Sequence, residues 1–217
     1  MDPIYPVPPV TKTRITKLPR EALLLIAPTG GGKTLAGFLP SLIDLAASPR
    51  QGLHTIYISP LKALAADIKR NLSTPVTEMD LPVRIEDRTG DTPSSRKRRQ
   101  RADPPHILLT TPESLALLLS YEDAPQIFAG LQRVIIDEIH ALAESKRGDQ
   151  LMLQLARLQS FAPHLRRVGL SATVEDQPAL ARFLGPQTQV LQADPGPDPD
   201  IQMLQTKLPP PWAGGTC

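Results

Sequence analysis

Three consecutive glycines, Gly30 to Gly32, run straight into Lys33 and Thr34 within the segment IAPTGGGKTLAGF (Ile26–Phe38). Glycine accepts turns that aim successive backbone N–H groups at one point, and a helix starting at Lys33 adds the positive end of its dipole. That combination is an anion cradle. Thr29, Gly30, Gly31, Gly32, Lys33 and Thr34 would line it, with the lysine ammonium on the β- and γ-phosphates of a nucleotide and the threonine hydroxyl on Mg2+. The general phosphate-loop pattern, G-x-x-x-x-G-K-[ST], has glycine where this chain has Ala27. That position ends a strand, where a small side chain is needed but a positive φ is not, so the loop proper is complete. A flexible glycine turn followed by a solvated lysine is the plainer alternative, and the strand–loop–helix context argues against it.

A second cluster is acidic. In VIIDEIH (Val134–His140) a strand of buried type ends in Asp137 and Glu138, with His140 beyond. Acids at the C-terminal end of a strand face the sheet edge where α/β folds bind ligands, the same edge as the glycine loop. Asp137 is placed to hold Mg2+, and Glu138, aimed differently, to orient and deprotonate an attacking water. Lys33, Asp137 and Glu138 are therefore the candidate catalytic residues. Two acids at an exposed helix start, favoured there by the dipole, are the alternative. The run SSRKRRQR (Ser94–Arg101) carries five positive charges in six residues. It reads as a phosphate-contacting patch or as a solvated helix face, and Lys146 and Arg147 in ESKRGDQ are equally ambiguous.

The elements that must hold these groups follow from hydrophobic patterning. ALLLIA (22–27), HTIYIS (54–59), VRIED (83–87), HILLTT (106–111), RVIID (133–137) and RVGLSA (167–172) are strand-length and rich in Ile, Val and Leu. Most lack two-residue alternation, as expected of strands buried on both faces of a parallel sheet. Between them lie helix-length segments such as KTLAGFLPSLIDLAA, LKALAADIKRNL and DQLMLQLARLQSF, the last with Leu151, Leu155 and Leu158 on one stripe. Strands alternating with helices predict a doubly wound α/β domain with a mainly parallel sheet flanked by helices. Five prolines fall in residues 1–20 and six in residues 194–217. Proline removes a backbone donor, so both ends read as extended proline-rich tails around a core of 21–193.

Composition narrows the chemistry. Among 217 residues, 41% are hydrophobic and the charges nearly cancel at +2, so any case for nucleic acid rests on local features. The single cysteine, Cys217, allows neither a disulfide framework nor a thiolate metal site, and fits a reducing compartment. No stretch approaches the apolar length of a membrane span, and no signal-peptide core stands at the start, so a cytoplasmic protein with no membrane partner is expected.

Taken in order, APTGGGKT, SPLKALAADIKRNL, RTGDT, LLTTPESL, DEIH and LSAT resemble the first motor domain of a superfamily 2 DEXH-box helicase. More narrowly, YISPLKALAADI, LPVRIEDRTGDTP and SKRGDQL resemble the large helicase-related proteins, especially the ligase-associated DEXH-box helicases of bacteria. The resemblance covers about Ala22 to Trp212, and that group carries alanine at the position of Ala27. It implies a RecA-like domain in residues 21–193 that binds ATP and Mg2+, and 3′-to-5′ translocation on single-stranded DNA in repair, with RNA as a possible alternative strand. Ser59, Pro60, Lys62, Arg88, Gly90, Thr111 and Pro112 would then track the nucleic-acid backbone. Locally, Thr111 and Pro112 also suit an ordinary capped helix start. By the same resemblance His140, Ser171 and Thr173 would couple nucleotide state to strand grip, and a DNA ligase with an associated repair nuclease would be partners.

The chain departs from this pattern in two ways. Relatives place a glutamine and an aromatic residue upstream of the phosphate loop to grip adenine, and here no glutamine precedes Gln51. A second motor domain with an arginine for the γ-phosphate is missing, which makes residues 194–217 a linker toward it and the chain half of a motor. Two other readings remain open: a small-molecule phosphate-loop kinase or ATPase, and an inactive nucleotide- or DNA-binding fragment.

Overall fold

The computed structural model describes residues 22–193, except 29, 173 and 175 and the side chain of Ala66. The expectations for Thr29 and Thr173 and for the tails 1–20 and 194–217 lie outside the described residues.

Seven strands form one sheet: β1 (Ala22–Ile26), β2 (Thr55–Ile58), β3 (Ile85–Arg88), β4 (Ile107–Thr110), β5 (Arg133–Ile136), β6 (Arg166–Ser171) and β7 (Thr188–Gln192). Their order is β3-β4-β2-β5-β6-β1-β7 and every pairing is parallel. Parallel neighbours need a crossover, and helices supply it. They are α1 (Lys33–Ala47), α2 (Lys62–Glu78), α3 (Ser94–Ala102), α4 (Pro112–Leu119), α5 (Ala124–Phe128), α6 (Ile139–Ala143), α7 (Lys146–Phe161) and α8 (Gln177–Leu184). The doubly wound parallel α/β architecture expected from the sequence is the one observed.

The absence of alternation in the strands has its cause in two cores. On one face Leu24, Ile56, Ile58, Val134 and Ile136 pack with Leu115, Phe128, Leu151, Leu155 and Leu180 from the later helices. On the other face Leu23, Tyr57, Leu109, Ile135 and Leu170 pack with Phe38, Leu42, Ala65 and Leu72 of α1 and α2. Odd and even strand positions are thus both apolar because each meets a helix layer. A Cβ on Gly37 would stand 3.1 Å from Leu170 Cδ2, so α1 lies close on the sheet and carries its N-terminus over the ends of β5 and β6.

Register sets the site. Ile58 pairs with both Thr110 and Ile136, and Arg88 pairs with Thr110. The residues that follow, Ser59, Thr89, Thr111 and Asp137, therefore leave the sheet on one row. All six motif loops sit on one edge of the sheet because each continues a parallel strand, and the loops after β1 and β6 are joined by Ala27 N donating to Ser171 O at 3.1 Å.

Three elements differ from expectation. β7 is an edge strand with a partly exposed TQVLQ sequence, too polar to be read as one. α2 continues six residues past Leu72 and through Pro75, whose neighbourhood is held by Ser73 and Thr77 hydroxyls donating to the Lys69 and Ser73 carbonyls. The third strand begins at Ile85 rather than Val83, because Val83 N turns back to Leu81 O.

Candidate nucleotide site and strand-facing edge

The glycine loop takes the geometry its composition requires. Gly30 and Gly32 hold φ of 84° and 74°, the left-handed region that side chains avoid. A Cβ on Gly31 would lie 3.0 Å from Pro28 O, which accepts the Gly31 amide. Ala27 directly follows β1, buried and without a positive φ, so alanine suits the position where the general pattern has glycine. The first bond of α1 is Ala36 N to Gly32 O, so the amides of Lys33, Thr34 and Leu35 precede the intrahelical ladder. Those amides are the donors an anion would take.

Lys33 is 7% exposed and its Nζ lies 3.5 Å from Glu138 Oε1. Glu138 owes this placement to its backbone, at φ 45° and ψ 45°, a left-handed conformation rare for a non-glycine residue. Asp137 N still continues the ladder to Ile58 O, and the chain then turns sharply, with Glu138 N donating to Asp137 Oδ1 at 2.9 Å. Adjacent acids therefore face different ways. Asp137 is only 4% exposed, which removes the alternative of an exposed helix start for that residue.

His140 Nδ1 lies 2.8 Å from Ser171 Oγ and 3.5 Å from Glu138 Oε2. Lys33, Glu138, His140 and Ser171 thus form one run of polar contacts from the glycine loop to the end of β6. Thr34 is half-buried at the start of α1. A threonine hydroxyl and a carboxylate are hard oxygen donors, few in number, and leave room for phosphate oxygens and water; that set fits Mg2+. Among the described residues no cluster of three or more acidic, His or Cys side chains could cage a metal unaided.

One contributor escaped the sequence reading. Tyr57 of β2 is fully buried and its hydroxyl donates to Asp137 Oδ2. Burial, and next the charge of Asp137, drives its ionisation far above the ordinary phenol range, so it stays a donor. The ring stacks on Phe38 of α1 with centroids 5.3 Å apart, worth about 0.5–1.5 kcal/mol beyond burial. A phenol within an otherwise aliphatic buried strand was the available signal, since a buried tyrosine hydroxyl requires a partner.

Across the edge, the strand-facing candidates are tied to one another. Ser59 is buried, its hydroxyl bonded to Leu61 O at 3.0 Å. Pro60 O accepts from Arg147 at 2.9 Å, and Arg147 Nε reaches Glu113 Oε1 at 2.7 Å. Arg147 therefore clamps the loop after β2 to the start of α4. Thr111 caps that helix by accepting from Ser114 N at 3.4 Å, with Pro112 buried at its first turn. Lys62 is exposed and paired with Asp91 at 3.0 Å, which joins it to the loop containing Gly90. Arg88 ends β3 as expected, but its guanidinium is buried, donating to Lys97 O at 2.9 Å. Its side chain braces α3 from beneath and offers nothing to solvent.

The basic run is resolved into structure. Arg96 lies 3.1 Å from Asp87, Arg99 binds Glu86, and Arg101 lies 2.7 Å from Asp123 while stacking over Tyr121. Lys97 donates to Gly90 O at 2.8 Å. Arg98 alone of the five is exposed with no ion pair among the described residues.

A model of the DEAD/DEAH box helicase family matches residues 9–181. The chain is 43% identical over 179 residues to the ATP-dependent helicase Lhr-Core protein 2 of Thermococcus barophilus, covering 76% of this chain and 21% of that protein. It superposes with a TM-score of 0.73 on Mycobacterium smegmatis helicase Lhr bound to ssDNA and AMP-PNP, at 44% identity, over 80% of this chain and 24% of that one. The DEAD-box helicase Mss116 bound to ssRNA shares the RecA-like fold, with a TM-score of 0.75 at 21% identity over 86% of this chain and 40% of that one. The chain thus spans between about an eighth and a quarter of the length of the Lhr relatives it matches. Among the described residues no helix is long and apolar enough to cross a membrane.

Proposed function

The chain belongs to the DEAD/DEAH box helicase family, and from that premise we propose that it is the ATP-binding half of an ATP-dependent 3′-to-5′ DNA translocase acting in repair in the cytoplasm. One observation carries the reading: Lys33, Glu138, His140 and Ser171 make continuous polar contact beside buried Asp137, on the edge that also bears the loops after β2, β3 and β4. Nucleotide and strand then meet the same row of residues.

The β- and γ-phosphates of ATP enter the glycine cradle and take Lys33 Nζ, whose 3.5 Å contact with Glu138 gives way. Glu138 remains held on its other oxygen by His140 and is free to accept the proton of an attacking water as the bond to the ADP oxygen breaks. Thr34 and Asp137 would hold Mg2+, which would supply charge neutralisation at the phosphate oxygens. His140 carries the change to Ser171 at the end of β6. Lys62, with the backbone of the loops around Ser59, Pro60, Gly90, Thr111 and Pro112, contacts phosphates rather than base edges, so affinity for single-stranded DNA is weak and falls steeply with salt. A DNA ligase and an associated repair nuclease are proposed companions on the resemblance of the quoted motifs.

These groups cover one side of the γ-phosphate. An arginine from a second motor domain would complete the other, and such a finger is worth about 10³–10⁵ in kcat, roughly 4–7 kcal/mol of barrier. The 217-residue chain alone is therefore expected to hydrolyse ATP hardly at all. A second motor domain from a relative, supplied in trans, restores DNA-stimulated turnover, and Glu138→Gln blocks it while ATP still binds. Robust DNA-stimulated hydrolysis by the chain alone would remove the half-motor reading.

A further inference from the structure

We propose that Tyr57 is a positioning residue for the metal site: through its hydroxyl it fixes the Asp137 carboxylate in the orientation that Mg2+ requires, and through its ring it ties that carboxylate to the helix bearing Thr34. The inference rests on the assignment of Thr34 and Asp137 as the Mg2+ ligands.

Asp137 accepts one hydrogen bond on each oxygen, from Glu138 N on Oδ1 and from the Tyr57 hydroxyl on Oδ2. The first bond comes from the neighbouring residue and turns with the backbone. The second comes from another strand and pins the rotation of the carboxylate relative to the sheet. A carboxylate has about four lone-pair sites, so two remain for metal and metal-bound water. Mg2+ demands near-ideal octahedral geometry, and a ligand left to rotate would meet it poorly.

The ring serves a second connection. Phe38, on which Tyr57 stacks, lies one helical turn beyond Thr34 on α1. β2 is hydrogen-bonded to β5, which Asp137 directly follows. One side chain therefore spans the two elements that carry the two proposed ligands. Packing alone would be served as well by phenylalanine in the strand TIYI, where Tyr57 is wholly enclosed. The hydroxyl donates its hydrogen bond to Asp137.

Tyr57→Phe keeps the ring and deletes the bond. A fluorescent ADP analogue is titrated into the full chain and the variant at a series of Mg2+ concentrations and in EDTA. The Mg2+ concentration giving the half-maximal gain in affinity should rise about tenfold or more in the variant, while affinity in EDTA, which reports the glycine cradle, stays within about twofold. A general loss of packing would lower both. In an Asp137→Ala background the same change should have no further effect on the Mg2+ requirement, since the partner is already gone. An unchanged Mg2+ requirement in Tyr57→Phe overturns the inference and leaves the ATP site standing. No Mg2+-dependent gain in the unaltered chain overturns the metal site and this inference together. Should the variant not fold, the unaltered chain still answers. Its three tyrosines can be assigned in a 13C spectrum by replacing Tyr5 and Tyr121 in turn. The Tyr57 Cζ resonance should move when Mg2+ is added to the ADP complex, and a resonance that stays fixed overturns the inference.

Discussion

The two ends of the motif-bearing edge use charge in opposite ways. At the glycine loop, Lys33 and Asp137 are buried, Glu138 is half-buried and His140 is exposed, and the ion-pair contacts are loose, with Lys33 and His140 each 3.5 Å from Glu138. At the β3–α3 end, charges are many and mostly half-buried, and contacts to Asp87 are tight, at 2.7 Å for Lys69 and 3.1 Å for Arg96. A long ion-pair distance is cheap to open when a stronger partner arrives, whereas short, multiply bonded pairs hold an edge strand in place. Density of positive charge is thus a poor guide to where a phosphate binds. The glycine loop has one lysine, and α3 has five basic residues whose partners are mostly inside the molecule.

The contrast is tested most severely at Lys33. Lys33→Ala should weaken a fluorescent ATP analogue by at least about tenfold, in keeping with about 1.5–3 kcal/mol for a hydrogen bond to a charged group. Unchanged affinity would mean that the loop is only a turn.

Lys62 and Asp91 give the next effect. Lys62→Ala should lower affinity for single-stranded DNA a few-fold and reduce the slope of log K against log salt by about 1, leaving ATP binding alone. Asp91→Asn should do the opposite to affinity, because it releases Lys62 from its 3.0 Å partner and removes a negative charge from the loop. Equal loss of ATP and DNA binding in Lys62→Ala would point to a folding defect.

A smaller effect belongs to α3. Arg96→Ala should leave DNA affinity within about twofold and lower the melting temperature by about 1–2 °C, the scale of a half-exposed ion pair in a domain of this size. A DNA defect larger than that of Lys62→Ala would show that the basic run contacts phosphate after all.

The smallest effect is a pH dependence. Burial opposes ionisation of Glu86, but hydrogen bonds from Arg99 and Gln100 outweigh it and hold the carboxyl below its usual range. Asp87 behaves likewise, with Lys69 as the main opposing donor. Carboxyls with depressed folded values add stability that is fully present above their ordinary range and is lost as pH falls below it. Melting temperature should therefore drop as pH falls below about 4.5, and Glu86→Gln should flatten that drop. An unchanged profile in the variant would mean that these pairs contribute nothing measurable.

Much of this was readable from residue order. The start of α1 at Lys33, the end of β5 before Asp137 and the placing of both on one edge follow from glycine chemistry and from unalternated apolar runs. β7 was missed because its burial comes from pairing with β1 and not from its own side chains. The extension of α2 through Pro75 was missed because local proline preference was overridden by Leu72 and Val76 packing in the core. Arg88 illustrates the harder failure: its position at the end of β3 was foreseen, but whether its guanidinium faces solvent or α3 depends on where a helix nine residues away is laid down.

Types and spacings therefore suffice for what depends on neighbours along the chain: which backbone turns can cradle a phosphate, which strands are buried on both faces, which helix begins with a cap. They do not suffice for what depends on charge partners brought together by folding. Arg88 buries its guanidinium under α3 while Lys62 stays exposed beside Asp91; Tyr57, an aromatic residue in an apolar strand, turns out to hold the carboxylate of Asp137 eighty residues away. A side chain's chemistry is local, but its availability is set by what lies within a few ångströms of its tip, and that distance is fixed only once the sheet has brought β2 beside β5 and α3 beside β3.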